Sequence, residues 1–437
     1  MRFLGIGDNC DLGSLYRRLV EEGHEVRVSA TELLAEGTLK GLVARTPDWR
    51  GELAWIRAAG EDGVILVENV AAERGALQDA LRRDGFQVIG GSAFGDRLEN
   101  DRAFAQGILA ELGFPVARTL AFTDAAAADH YLAENPGRYV LKFNGPGFAS
   151  SDNYVGMLAD GRDVRAVMAA KLRRHEGPAS FVLMEHVAGV EMGVGAYFDG
   201  TRFLDPPCLD WEHKRFFPGD QGELTGEMGT VVTYERGRSF FAHTLGRLAP
   251  LLARHGHVGY LNLNTIVNPQ GIWPLEFAAR FTYPGFMLLD PLQETSWSEL
   301  FRIMTRRSAP RFAARPGFCV GIVLTTPPFP YTRKDIAEPV GLPVLFDGPL
   351  AAQDRANLHY GEIGLDDGAL VTSGLYGWTM VVTGVDATIV AAKERAYRLA
   401  DRVFVPNLRF RRDIGDKLIA GDLARMEALG LLDDERA

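Results

Sequence analysis

The chain has few cysteines, no long apolar run and no basic excess. Of its 437 residues only three are cysteine, Cys10, Cys208 and Cys319. Their odd number and wide spacing exclude a zinc-type cluster and a disulfide framework, so a reducing cytoplasm is the expected setting. No apolar stretch reaches the roughly 18 residues that a membrane-spanning helix needs. A secretory leader is not expected either, because Met1–Gly7 runs straight into Gly7-Asp8-Asn9 and reads as a first β-strand. Ser- or Gln-rich tracts, internal repeats and low-complexity linkers are lacking too, which excludes a disordered chain or a repeat array. A formal net charge of −10 argues against a general nucleic-acid binder, but leaves room for a small, locally basic phosphate site.

What is present suits a globular protein of two to four domains: 46% hydrophobic and 24% charged residues over 437 positions. Residues 1–95 alternate strand and helix. Phe3–Ile6, Glu25–Val28, Gly63–Val67 and Gln87–Gly90 read as strands, and Leu12–Glu22 and Ala71–Arg83 as helices. Such alternation, with glycine at strand ends, predicts a small parallel α/β domain. A helix is expected from about Arg97 to Leu112. Residues 118–192 read as an α+β piece with strands Arg138–Lys142 and Ser180–Glu185, and a glycine-containing loop, Asn144–Asn153, follows the first. Further strands are expected at Gly259–Val267, Ile272–Phe277, Cys319–Thr325, Ala369–Ser373 and Thr379–Thr383, with a helix at Ile389–Arg402.

Four stretches carry chemistry. In Gly259–Phe281 two apolar strands flank a Pro-Gln-Gly turn. Alternation puts Glu276 and Ala278 on one face, and Asn262 and Asn264 on one face of the partner strand. A carboxylate in an apolar strand is costly unless it is paired or binds a cation. Glu276 therefore reads either as a salt-bridge partner of Arg280 or as an oxygen ligand for Mg²⁺. Lys142 ends a strand beside Gly145 and Gly147, where it can reach a phosphate or snorkel at the surface. Glu185-His186-Val187 breaks a strand into a connector whose backbone can meet an adenine edge, and Glu191 can accept from ribose hydroxyls. The run Glu212-His213-Lys214-Arg215, then Thr225-Gly226-Glu227-Met228-Gly229, puts three potential cations before a glycine-flanked loop. That pattern suits an anion, or a solvated charge run.

Taken in order, these pieces resemble the glycinamide ribonucleotide synthetases (phosphoribosylamine–glycine ligases), members of the ATP-grasp superfamily. Ala396-Tyr397 and Arg409-Phe410-Arg411-Arg412-Asp413-Ile414-Gly415 resemble that family's C-terminal ending, so the motifs run from about residue 60 to 417. The resemblance implies α/β and α+β architecture in three parts: an N-terminal parallel α/β pre-ATP-grasp domain (1–95), an ATP-grasp domain (96–312) with a mobile lid at about 118–192, and a C-terminal mixed α/β domain (313–437). It implies nucleotide contacts for Arg102, Lys142, Glu185, His186, Val187 and Glu191. It implies metal ligation by Glu276, with Asn262 and Asn264 as further ligands, and a catalytic role for Arg280, Lys214 and Arg215. Substrate contacts fall to Asp8, Asn9, Asp11, His213, Thr225, Gly226 and Glu227.

Departures from the pattern are as specific. Ala278 stands where the family has a metal-binding Asn, and Ala149-Ser150-Ser151-Asp152 lacks the family's loop Lys. The Gly-Gly-Arg-Glu-His loop is here Gly7-Asp8-Asn9-Cys10-Asp11, the Pro-Glu-x-Pro-Leu segment is Val67-Glu68-Asn69-Val70-Ala71, and Arg-Phe-Gly-Asp-Pro-Glu is Arg280-Phe281-Thr282-Tyr283-Pro284-Gly285. Features of the ATP site are mostly kept and those of the acceptor site mostly lost. The resemblance thus implies an ATP- and Mg²⁺-dependent carboxylate–amine ligase (Mn²⁺ as a substitute metal), acting through an acyl phosphate on a small carboxylate and an amine, with a changed acceptor. The alternatives are the housekeeping phosphoribosylamine–glycine ligase and a nucleotide-binding protein with little catalysis. A monomer or homodimer without nucleic-acid or membrane partners is expected. Asp8 and Asp11 also suit a second role, capping the helix that begins near Leu12.

Overall fold

A computed structural model describes residues 1–9, 11–68, 74–144, 153–173, 175 and 179–433. Chain contacts divide it into two compact units. The first holds residues 1–107, 191–265 and 275–437, and the second 108–190 and 266–274.

The first unit opens with the expected parallel sheet. Its order is Ala44–Arg45, Glu25–Ala30, Arg2–Gly7, Gly63–Val67, Gln87–Ile89. All four pairings are parallel. Apart from half-buried Arg2, the central strands are buried along their length, as a sheet covered on both faces requires. The chain moves outward from Arg2–Gly7 in one direction, then returns to Gly63–Val67 on the other side. The switch point therefore lies between these two strands, and ligands of open α/β sheets bind at the carboxyl ends of strands at such a point. Asp8 and Glu68 follow directly at those ends.

An eight-stranded sheet forms the rest of the frame. Its order is Gly271–Ala278, Gly259–Asn268, Val190–Phe198, Cys208–Glu212, Gly229–Thr233, Phe318–Thr325, Trp378–Asp386, Leu358–Tyr360. The helix Ile389–Ala400 packs on its C-terminal half. One core cluster joins Phe3, Tyr16, Tyr197, Phe281, Trp297 and Phe301.

The second unit has its own antiparallel sheet, ordered Thr119–Phe122, Ser180–Glu185, Tyr139–Asn144, Tyr154–Val155. Leu141, Phe143, Phe181 and Leu183 face a core shared with Ala128, Leu132, Val164 and Met168 of its two helices.

The expected strands occur with small shifts in their ends, and Gly63–Val67 and Ser180–Glu185 occur as read. The single helix expected over Arg97–Leu112 is two, Ala93–Asn100 and Arg102–Glu111. Asp101 separates them, and its Oδ1 accepts the N–H of Phe104 at 3.0 Å, the bond of an N-cap. The expected start of the Ala71–Arg83 helix, the Asn69-Val70-Ala71 departure, Cys10, and Gly145, Gly147 and Ala149–Asp152 of the glycine loop lie outside the described residues.

Candidate functional site

The strand Cys208–Glu212 and the turn after it carry the centre of the site in the first unit. Lys214 Nζ lies 2.8 Å from Glu276 Oε1, 3.1 Å from Glu212 Oε2 and 3.8 Å from Glu191 Oε1. Three strands thus send one carboxylate each to a single ammonium. Burial opposes the charge on Lys214, but Glu212, Glu276 and Glu191 outweigh it and hold its pKa well above the usual lysine value. Arg102, half-buried, feels the charge of Glu276 and has Nη1 buried without a hydrogen-bond partner. Two cations therefore face a set of carboxylates of which Glu191 and Glu276 stay about half exposed (46% and 49%).

The pairing of Glu276 with Arg280 does not form. Glu276 takes Lys214 instead, and Arg280 Nη2 lies 2.8 Å from Glu99 Oε1. The reason is positional: Arg280 falls past the strand end at Ala278, while Ala279 N–H donates to the other Glu99 oxygen at 2.9 Å. Both groups of the Ala279–Arg280 segment are thereby fixed on Glu99.

Asn262 and Asn264 each bond a carboxylate of the strand Cys208–Glu212, and Asn264 thereby reaches the Glu212 oxygen that also meets Lys214. Asn262 Nδ2 donates to Asp210 Oδ2 at 2.6 Å, and Asn264 Nδ2 to Glu212 Oε2 at 3.1 Å. These bonds pass over the intervening strand Val190–Phe198, in which Gly193 pairs with Asp210. A Cβ on Gly193 would lie 2.1 Å from Asp210 Oδ1, so only glycine leaves the Asp210 side chain its path to Asn262. Burial and the nearby Glu212 push Asp210 up to about 8, with the Asn262 bond acting against them.

Magnesium is bound by one or two carboxylates together with nucleotide phosphates rather than by an all-protein cage. Glu276 and Glu212 fit that use, being oxygen donors that share one displaceable ammonium. Among the described residues no group of three or more His, Cys, Asp or Glu is arranged as a preformed metal site.

The remaining members of the run have local tasks. Arg215 Nη1 donates to Gly222 O at 2.9 Å within its own hairpin, so this cation turns away from the Lys214 cluster. His213 is 4% exposed, and burial with Arg411 and Lys417 nearby pushes it down to about 4. Its neutral ring accepts the Gly415 N–H on Nε2 at 3.2 Å, which places the proton on Nδ1, an atom with no partner. Thr225 closes the turn, its N–H and Oγ1 both donating to Lys214 O at 2.8 and 2.7 Å. Gly226 comes close to Trp378, 3.5 Å from where its Cβ would be. Glu227 is 5% exposed with Oε1 unpartnered; burial, then Glu212 and Asp210, raise its pKa well above the usual value.

At the switch point Asp8 is bound by Arg74 and by the Thr31 hydroxyl. Asn9 is 3% exposed with Oδ1 unpartnered. Burial, then Glu68 and Glu362, raise the Asp11 pKa well above normal, against the pull of Arg280. The capping role does not hold. The helix Gly13–Glu21 starts after Leu12 with no side-chain cap, and Leu12 N–H donates to Glu68 Oε1 at 3.3 Å. Sequence reasoning gave no role to Glu68, Tyr283 and Glu362 here or to Asp210 in the Lys214 cluster, and took Glu212 only as the start of a charged run. Only for Glu68 did a local signal exist, its place right after a buried strand.

In the second unit Lys142 pairs with Val182 across the sheet, and Val140 with Met184. These four share the half-buried face opposite the core, a flat apolar surface with one cation. Glu185 lies 3.8 Å from Arg118, and His186 N–H donates to Arg138 O at 3.0 Å. Val187 is half-buried in the connector.

The chain carries an ATP-grasp domain. Residues 100–285 match the phosphoribosylglycinamide synthetase ATP-grasp (A) domain. The chain is similar to phosphoribosylamine–glycine ligases: that of Pseudomonas aeruginosa is 28% identical over 78% of this chain and 80% of its own. The enzyme of Nostoc sp. is 27% identical over 84% and 87%. Among solved structures, phosphoribosylamine–glycine ligase from Thermotoga maritima superposes with a TM-score of 0.68 at 20% identity, covering 95% of this chain and all of that one. A biotin carboxylase from Campylobacter jejuni reaches 0.58 at 13% identity, covering 99% and 97%. These superpositions carry the fold. No helix among the described residues is long and apolar enough to cross a membrane.

Proposed function

We propose that the chain is an ATP-dependent carboxylate–amine ligase related to phosphoribosylamine–glycine ligase, working through an acyl phosphate. The observation that carries this reading is Lys214 held among Glu276, Glu212 and Glu191. A carboxylate resists attack by an amine until a phosphoryl group activates it, so the protein's work is positioning and charge neutralisation. Glu276 and Glu212 would hold Mg²⁺, which supplies neutralisation of phosphate charge. Arg102, Arg280 and Lys214 add fixed positive charge. Lys142, Glu185–Val187 and Glu191 are assigned to the nucleotide. The domain limits 1–95, 96–312 and 313–437, a cytoplasmic location and a monomeric or homodimeric state belong to the same proposal.

Two acceptor readings rest on different observations. The curated relatives share the name phosphoribosylamine–glycine ligase, which favours glycine and phosphoribosylamine directly. The acids Asp8, Asp11 and Glu68 at the switch point favour an acceptor without a phosphate there. The test of the ligase reading is to incubate protein, ATP and Mg²⁺ with glycine or other amino acids and hydroxylamine. Hydroxamate and ADP in equal amounts are expected. Failure with every amino acid would leave a nucleotide-binding protein without ligase chemistry.

A further inference from the structure

The loop Leu375–Trp378 turns four consecutive backbone N–H groups towards one carboxylate, that of Glu362. Leu375 donates to Oε1 at 2.6 Å, Tyr376 to Oε1 and Oε2 at 2.9 and 3.0 Å, Gly377 to Oε2 at 2.5 Å and Trp378 to Oε2 at 3.0 Å. The Arg333 guanidinium adds charge at 3.9 Å. Gly374 makes the arrangement, with φ +81° and no room for a Cβ, which would lie 2.2 Å from Glu362 Cδ. Convergent backbone N–H groups of this kind form the concave sites at which proteins bind phosphate. Here the anion is internal: Glu362 is 5% exposed and comes from the same chain.

This filled nest belongs to the ground around the switch point. Leu39 N–H donates to Ile363 O and Leu365 N–H to Lys40 O, both at 2.8 Å, tying the Glu362 segment to the turn between the strands Glu25–Ala30 and Ala44–Arg45. Asp11 and Glu362 each act on the Tyr376 phenol, which also meets the Asn9 side chain. Tyr283 stacks on Trp378 with ring centres 4.6 Å apart, and its hydroxyl, buried and unpartnered, feels Glu362, Asp11 and Glu227. Asn9 Oδ1 and Glu227 Oε1 are likewise buried without partners. The unpartnered buried atoms of this ground include these acceptors and the phenol as well as the donors Trp378 Nε1, Arg280 Nε and Arg333 Nε, while the four amides of Leu375–Trp378 are already used.

We propose that Glu362 is a specificity-determining residue: it plugs the amide nest, excludes a phosphate-bearing acceptor, and leaves Asn9, Asp11 and Tyr283 to receive the amino group of a phosphate-free amine. The acceptor part rests on the ligase reading. The nest is tested separately from it.

Inorganic phosphate and ribose 5-phosphate are titrated by calorimetry into the full chain and into Glu362→Ala. The variant is expected to bind either at least about tenfold more tightly, the worth of one charge-assisted hydrogen bond. Equal affinity in the two proteins overturns the plug. Should Glu362→Ala fail to fold, the wild-type protein decides through kcat/KM for phosphoribosylamine against a panel of phosphate-free primary amines, read as ADP release. A best amine at least about tenfold better supports the proposal, and phosphoribosylamine equal to or better than every amine overturns it. Absence of hydroxamate in the preceding assay sinks the ligase reading alone, because the calorimetric comparison needs no turnover.

Discussion

Lys214 and Glu276, 62 positions apart in sequence, meet at 2.8 Å and form the tightest contact of an ammonium shared by three carboxylates. The ammonium holds together acids that would otherwise repel each other, and a divalent cation can take over that task. Lys214→Met is therefore expected to lower stability at low Mg²⁺ by roughly 1–2 kcal/mol, between the values for exposed and buried pairs. Added Mg²⁺ should restore much of this loss while changing the wild-type melting temperature little. Melting curves over a Mg²⁺ series provide the check, and an equal response of both proteins would show that these carboxylates do not take the metal.

Glu276→Gln separates metal binding from folding. The Glu276 side chain is about half exposed (49%), so the substitution should leave the melting temperature nearly unchanged. Ala278, its neighbour on the same strand face, offers no oxygen to replace it. Turnover should fall by roughly a hundredfold or more, the scale seen when a group stabilising transition-state charge is removed. Wild-type turnover at saturating Mg²⁺ would remove Glu276 from the metal assignment.

Lys142→Ala should weaken ATP binding about ten- to a hundredfold, the loss of roughly 1.5–3 kcal/mol for a charge-assisted hydrogen bond. The position supports it: Lys142 stands on the half-buried sheet face with Val140, Val182 and Met184, away from the core that Leu141 and Phe143 enter. Calorimetry with ATP is the measurement. An unchanged dissociation constant would leave Lys142 as a surface cation.

What could be read from the sequence follows the range of the interactions. Strands such as Gly63–Val67 and Ser180–Glu185 carry their pattern locally, through β-branched and apolar runs between glycine, proline or polar breaks. The break at Asp101 was also local, an Asn-Asp pair inside an apolar helical pattern, and was read through because the apolar spacing continued on both sides. Glu276 stands out as an acid in an apolar strand, but its partner does not: Arg280 is near in sequence, whereas Lys214 arrives from the turn after Cys208–Glu212. The same limit hid Asp210, which reaches Asn262 only because Gly193 lies between them. Glu362 was invisible because four amide donors have no side-chain signature, and the Gly374 to Gly377 spacing reads as an ordinary turn.

Asp210 provides the test of that buried network through pH. Its carboxyl is pushed up to about 8, first by burial and then by Glu212, and it shares a 2.6 Å bond with Asn262. In the unfolded chain an aspartate releases its proton near pH 4. Between about pH 4 and about pH 8 the folded state therefore holds a proton that the unfolded state has lost. Stability must fall as pH rises through that window, at up to about 1.4 kcal/mol per unit, and level off above it. Asp210→Asn keeps an oxygen to accept from Asn262 and removes the titration. The variant should gain stability over wild type as pH rises from 5 to 8, by at least about 1 kcal/mol. Denaturant midpoints of both proteins at pH 5, 6.5 and 8 measure this, with Asn262→Ala as a companion in which the fall should continue to higher pH, because the Asn262 bond lowers the Asp210 pKa. Parallel pH profiles for wild type and Asp210→Asn would mean that Asp210 is already ionised in the folded protein, with Lys214 neutralising it together with its three neighbours.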